Sequence, residues 1–293
     1  KNISQERIRD EFSRILLSKE PMKGLIMAQN LGLLRHIAPE LEAGIGMEQN
    51  KAHAFTVWEH LLRSLQHAAD KEWPLDIRLA ALFHDVSKPE TRRKGPKGEW
   101  TFYGHDVVGA RVAKNLLTRL RYPKEIIEKV STMIRWHMFF SDTEQISLSA
   151  VRRMITNVGK ENIWDLMNVR ICDRIGTGRP KENPYRLRKY KSMIDEAMRD
   201  PISVSMLKID GNILIGKLGL TPGPKIGFTL HALLEEVLED PKLNTAEYLE
   251  NKAKKLVELP IDDLKKLGEE GKESREKAEE EIVNDIRKKH WVE

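Results

Sequence analysis

An all-α fold follows from three observations on this 293-residue sequence. Apolar residues recur at the three- and four-residue spacing of helices through almost every segment. Proline and glycine fall between those segments rather than inside them, and alternating β-branched runs are nearly absent. A chain of this length buries a sizeable core and divides into two or three modules. The expected layout is a basic helical segment over residues 1–50, a helical core domain over 51–200, and a helical tail over 201–293 that is charged at its end.

In the first segment Ile8, Phe12, Ile15 and Leu16, then Leu25, Met27, Leu31, Leu34 and Ile37, keep helical spacing, with Pro21 and Pro39 as breaks. Arg7, Arg9, Arg14, Lys19, Lys23 and Arg35 lie among them, on a face that either meets phosphates or is simply solvated. A loop rich in Gly and polar residues then runs to Phe55 and holds His53, a candidate substrate contact. The core domain is expected to carry helices near Thr56 to Ala69, Pro74 to Ser87, His105 to Leu120, Pro123 to His137, Ser147 to Val158, Asn162 to Ile175 and Tyr185 to Asp200. Beyond Pro201 come two turns around helices, the second of which, Gly219 to Gly227, introduces a helix from Phe228 to Glu239. Glycines ahead of a helix expose backbone N–H groups, so Lys225 is a candidate RNA-phosphate contact there; a plain helix start is the alternative. From Asn244 the sequence is Glu/Lys-rich helix with few apolar residues, expected to protrude and fray.

With 32% charged and 40% apolar residues and no apolar run near the roughly 20 that a bilayer requires, a membrane-spanning helix is excluded. No secretory leader pattern opens the sequence. The single Cys172 excludes an internal disulfide and points to a reducing cytoplasm; its surroundings read as buried helix rather than metal thiolate. A net charge of +5 favours polyanionic partners, nucleic acid first among them. Lys1 stands where an initiator Met is usual, which suggests a fragment or a processed chain.

Chemistry concentrates at Leu79-Ala80-Ala81-Leu82-Phe83-His84-Asp85-Val86-Ser87-Lys88-Pro89, where an apolar helical run delivers His84 and Asp85 side by side with Lys88 one turn on. Both can reach one divalent ion at the helix end. His60 in Val57-Trp58-Glu59-His60 and Asp173 in Val169-Arg170-Ile171-Cys172-Asp173-Arg174 complete a set of His, His-Asp and Asp on separate helices. Two imidazoles and two carboxylates accept Mg, Mn, Ni, Co, Fe or Zn without distinguishing them. His105 and His137 lie at expected helix boundaries in the region where binuclear members of the HD superfamily, which this arrangement resembles, carry histidine ligands; they either bind a second ion, with Asp85 bridging, or support the ligands from behind, or contact substrate. His67 lies on the face of His60 and reads as structural.

Asp85 and Lys88 are the catalytic candidates, Lys88 by placing its ammonium on a phosphate oxygen or near the attacking water. Arg92, Arg93 and Lys94, in a basic turn just after the His-Asp pair, are candidates for a phosphate-binding rim, or else a solvated turn. Arg174 is a further candidate, with a structural ion pair as its plainer role.

The order His60, His84-Asp85, Asp173 resembles the HD superfamily of metal-dependent phosphohydrolases. The runs Thr56-Val57-Trp58-Glu59-His60, Phe102-Tyr103-Gly104-His105-Asp106, Arg119-Leu120-Arg121-Tyr122-Pro123 and Asn183-Pro184-Tyr185-Arg186-Leu187-Arg188 are similar to the C-terminal part of bacterial tRNA nucleotidyltransferases, the CCA-adding enzymes, and related poly(A) polymerases. Glu6-Arg7-Ile8-Arg9-Asp10-Glu11-Phe12 and the Gly219 to Gly227 segment share the likeness. It implies an RNA-binding body over residues 1–50, an HD domain over 51–200, and a tail that grips tRNA. It also implies a metal-dependent hydrolase of 2′,3′-cyclic phosphates or other nucleotide and RNA-end phosphoesters, with one or two ions.

The family's Gly-rich nucleotide-binding turn and paired Asp ligands on a strand find no match in these residues, and Asp106 stands where the family more often has Glu. This chain alone is therefore expected to hydrolyse rather than to add nucleotides. The alternative is a tRNA-binding body and tail with little hydrolysis of its own, working with a separate nucleotidyltransferase subunit.

Overall fold

The computed structural model describes residues 3–49, 54–139, 146–199 and 203–292. His53 lies outside the described residues. The chain is helical nearly throughout and divides into two units, residues 1–194 and 195–293. Among the described residues no helix is long and apolar enough to cross a membrane.

The first unit opens with α1 (Gln5–Leu17), α2 (Pro21–Asn30) and the short α3 (Leu34–Ile37) and α4 (Pro39–Glu42). Ser4 starts α1 by accepting the Arg7 N–H, and Pro21 occupies the first turn of α2, where a missing N–H costs nothing. Phe12, Leu16 and Leu25 turn inward onto α5 (Val57–Asp70) and α6 (Leu75–Phe83). Every residue of α6 from Ile77 to Phe83 is buried, so this apolar helix is the axis of the unit.

Arg78 is the polar exception in that buried stretch. Its guanidinium donates to the carbonyls of Trp73 at 2.7 Å, Leu16 at 2.7 Å and Ser18 at 3.0 Å. It thereby closes the otherwise unpaired C-terminal end of α1 with a buried cation. Around this pair lie α8 (His105–Arg119), α9 (Lys124–Trp136), α10 (Leu148–Val158), α11 (Ile163–Gly176) and the start of α12 (Tyr185–Met198).

Two local expectations are corrected. The helix read as running from Pro74 to Ser87 stops at Phe83; His84 to Ser87 form tight turns with Val86 N–H bonded to Phe83 O and Lys88 N–H to Asp85 O. Pro89 lacks an N–H and restricts Lys88 before it, so the chain restarts as the single turn α7 (Lys88–Thr91). The basic turn beyond is framed by a small antiparallel pair, β1 (Arg93–Lys94) and β2 (Trp100–Thr101), with Arg93 opposite Thr101 and Lys94 opposite Trp100.

The second unit contains α13 (Gly211–Leu218), α14 (Pro224–Glu239), α15 (Ala246–Val257) and α16 (Ile261–Lys289) around Leu214, Leu233, Leu234, Leu249 and Leu264. α14 begins four residues earlier than Phe228, because Pro224 is itself a favoured first helical residue. The charged C-terminal helix does not protrude along its whole length: the first half of α16 lies on α14. Gly268 and Gly271 make that approach possible, since a side chain at Gly268 would meet Phe228 Cα at 2.7 Å and one at Gly271 would collide with the His231 carbonyl.

Replacing Arg78 with Met keeps its volume but takes the donor from three carbonyls, that of Leu16 in a buried bond and those of Trp73 and Ser18 in part-buried ones. We expect a loss of about 2–4 kcal/mol in urea denaturation; an unchanged midpoint would show that α1 is not held by this contact.

Candidate metal centre

Five elements deliver six side chains to one buried point. Thr56 accepts the Glu59 N–H at 3.2 Å and fixes the start of α5, which sets His60 in its first turn. His84 and Asp85 come from the turn after α6, His105 opens α8, His137 follows α9, and Asp173 projects from α11. All six are buried.

The Nε2 atoms of His60 and His84 face each other at 2.9 Å. His60 Nε2 is 3.1 Å from Asp85 Oδ2 and 3.5 Å from Asp173 Oδ1; for His84 Nε2 the distances are 3.3 and 3.7 Å. The other Asp85 oxygen, Oδ1, lies 3.2 Å from His105 Nε2 and 3.6 Å from His137 Nε2. Asp85 thus separates two donor sets: His60, His84, Asp85 and Asp173 on one side, and Asp85, His105 and His137 on the other.

The histidines owe their orientation to their places at helix ends. His84 Nδ1 donates to Ala81 O at 2.9 Å, His105 Nδ1 to Phe102 O at 2.6 Å and His137 Nδ1 to Ile134 O at 2.7 Å. A carbonyl only accepts, so in each ring the Nδ1 carries the proton and Nε2 turns to the centre, the arrangement that metal-bound histidines adopt. Nε2 of both His105 and His137 is buried without a hydrogen-bond partner. Converging donors, two of them orphaned in the interior, fit a divalent cation.

The electrostatics point the same way. Burial alone would raise the Asp85 carboxyl, but the charges of Lys88 and His84 hold it well below the usual carboxylate range. Burial opposed by Arg170 and His84 does the same for Asp173, whose second oxygen is bonded to Arg170. His84 shows the converse: burial lowers its pKa, yet Asp85 and Asp173 raise it to about 10. His137 moves down, chiefly through burial. A proton and a metal ion compete for one lone pair on His84.

Lys88 Nζ sits 2.5 Å from Asp85 Oδ2 and 2.6 Å from Gln49 Oε1, with the Phe102 ring 5.5 Å away. Ser87 Oγ donates to His105 O at 2.6 Å and ties the His-Asp turn to α8. Gly176 lets α11 approach α5, since a side chain there would run into Ser64 Oγ and come within 2.8 Å of His60 O. Asp106 is bonded to Arg135, so this carboxylate braces α8 against α9.

The centre opens into a cavity of about 1020 Å³, to which Asp85, Lys88, His105, His137, Asp173 and Arg174 all contribute. Arg92, Arg93 and Lys94 do not line it: Arg92 stacks 3.6 Å above Trp100, and Arg93 and Lys94 stand exposed on β1. Instead, Arg170, Arg179 and Arg186 supply its further cations. In the sequence Arg170 stands three residues before Asp173 and Arg186 lies inside the Asn183 to Arg188 run that carries the family likeness, while nothing marks Arg179. Lys225 belongs to the second unit and donates to Val257 O at 2.7 Å. His67 lies 3.6 Å from Glu182 and edge-on to Trp73, apart from the donor sets.

Residues 57–175 match the family described as HD domain, and residues 1–45 match that described as "Probable RNA and SrmB- binding site of polymerase A". Over 240 residues the chain is 38% identical to a CC-adding tRNA nucleotidyltransferase of Thermus thermophilus, covering 80% of this chain and 53% of that protein. It is 30% identical to an A-adding tRNA nucleotidyltransferase of Deinococcus radiodurans over 78% of this chain and 54% of that one. A multifunctional CCA protein of Neisseria gonorrhoeae is 29% identical over 66% of this chain and 48% of its own. The chain spans about half the length of the curated relatives it matches.

The raised His84 pKa fixes the sign of a pH effect. At neutral pH the imidazole holds a proton that an ion must displace, so metal affinity rises as pH rises toward that pKa. Calorimetry with Mn²⁺ between pH 6 and 8 should show affinity increasing up to about tenfold per pH unit, with proton release to the buffer; a flat profile would contradict it.

Proposed function

We propose a function from the premise that this chain belongs to the tRNA nucleotidyltransferase family through the RNA-binding and HD-domain portion it shares with those enzymes. It is a metal-dependent phosphohydrolase acting on phosphoesters of nucleotides or RNA ends, 2′,3′-cyclic phosphates among them. One observation carries the reading: two buried donor sets share the Asp85 carboxylate and open into a cation-lined cavity.

His60, His84, Asp85 and Asp173 would hold one ion, and His105 and His137 with Asp85 a second. When bound, a divalent ion supplies Lewis acidity toward phosphoryl oxygens and acidifies water. The chain's own residues do the rest. Asp85 presents one oxygen to each donor set and so fixes their separation. Lys88 is buried at the cavity floor, where its ammonium neutralises a phosphate oxygen in addition to Asp85. Arg174, on the cavity wall one turn beyond Arg170, adds a cation for substrate oxygens.

The match of residues 1–45 to an RNA-binding region, with about half of each nucleotidyltransferase relative lying outside the match, favours a second role: RNA, tRNA in particular, held by the body of a larger transferase or by a chain that works beside a separate head. The two readings share one metal centre and differ in whether it turns over.

The deciding measurement is hydrolysis of 2′,3′-cAMP and of bis-p-nitrophenyl phosphate with Mg²⁺, Mn²⁺, Ni²⁺ or Co²⁺, alongside metal content. We expect metal-dependent turnover, abolished in Asp85→Ala and reduced about 10²-fold in kcat in Lys88→Met. Metal bound without turnover on either substrate would leave the tRNA-holding role.

A further inference from the structure

The cavity beside the metal centre holds more positive charge than one phosphate requires. Among the described residues its charges pair off: Lys88 with Asp85, Arg170 with Asp173, and Asp106 with Arg135. Glu99 accepts the Lys97 N–H at 3.0 Å. Arg174, Arg179 and Arg186 line the same cavity with no carboxylate in salt-bridge range among the described residues.

The cations are also spread out. Arg174 lies on α11, Arg179 in the turn after it and Arg186 at the start of α12, and Arg179 and Arg186 are exposed. The volume, about 1020 Å³, stands at the upper end of the roughly 300–1,000 Å³ that drug-sized ligands fill. Two aromatic side chains share the cavity and face water: Tyr103, 87% exposed, and Tyr185. Exposed rings beside spaced cations are the elements of single-stranded nucleic-acid grooves, where bases stack and the backbone is neutralised.

We propose that Arg179 and Arg186 form a subsite for a second phosphate of an oligoribonucleotide, with Tyr103 and Tyr185 stacking on its bases, while the terminal phosphoester occupies the metal centre. The placement of that terminal phosphate rests on the phosphohydrolase reading. The subsite makes the substrate an RNA end rather than a free mononucleotide.

The test compares 2′,3′-cAMP with the trinucleotide ApApA ending in a 2′,3′-cyclic phosphate, for the unaltered chain and for Arg179→Gln/Arg186→Gln. In the unaltered chain kcat/KM should favour the trinucleotide roughly tenfold or more, about what one charge-assisted hydrogen bond supplies; in the double variant the ratio should fall toward one. Anisotropy of 5′-labelled ApApA-3′-phosphate supplies a readout independent of turnover. The double variant should bind it roughly tenfold more weakly, with a salt dependence shallower by about 0.7 for each phosphate that is no longer neutralised. Absence of all hydrolysis with this binding difference intact would remove the hydrolase reading and leave the subsite standing. Equal handling of monomer and trimer by the unaltered chain, or equal weakening of both in the variant, would overturn the subsite. Displacement of the labelled trimer by ATP as effectively as by unlabelled trimer would overturn it in favour of a triphosphate site.

Discussion

The Asp85 carboxylate is 2% exposed, and an anion so deep in the protein must be compensated on every side. One oxygen meets His60, His84 and Lys88 and the other meets His105 and His137, so the compensation comes from α5, the turn after α6, α7, α8 and the end of α9 at once. These elements pack as they do partly because each carries a group that this oxygen pair needs. Removing the carboxylate would leave His105, His137 and Lys88 without the counter-charge they face, and His60 and His84 with Asp173 alone; removing one imidazole would leave the anion underpaired.

Small devices hold that arrangement in register. The i−3 carbonyl bonds of His84, His105 and His137 use backbone acceptors available at helix boundaries to aim three rings inward. Gly176 lets α11 come close enough for Asp173 to reach the far side. Arg170 satisfies the outward oxygen of Asp173, and Arg78 ties the N-terminal helices to the same central α6. Scaffold and site draw on one set of interactions.

The ligand constellation is legible in the sequence because its members are rare residue types at helical positions: His60, His84-Asp85 and Asp173 stand out against apolar runs. Helix boundaries are readable where Thr56, Pro123 or Ser147 marks a start. The stop at Phe83 is not, since Pro89 acts at a distance of several residues and the periodicity of Leu79 to Phe83 continues through His84. Arg179, in a turn, and Arg186, at the start of α12, are hidden as site cations because an exposed arginine looks the same whether it borders a cavity or open water; only the tertiary placement distinguishes them. In the other direction, Arg92 to Lys94 are near the centre in sequence but are held by Trp100 and the β pair. The packing of α16 on α14 is masked by the very residues that permit it, since Gly268 and Gly271 read as weaknesses in a charged helix.

The six side chains from His60 to Asp173 come from elements far apart along the chain, and that spacing bears on how the fold would endure with an ion bound. An ion held by His60, His84, Asp85 and Asp173 would cross-link long loops, restricting the unfolded chain much as a set of disulfides would. Mass action sets the size of the effect: an ion present at a hundred times its dissociation constant adds about 2.7 kcal/mol to the native state. With such an ion bound, the supply of divalent metal would become a determinant of this chain's lifetime, and scarcity would expose it to proteolysis.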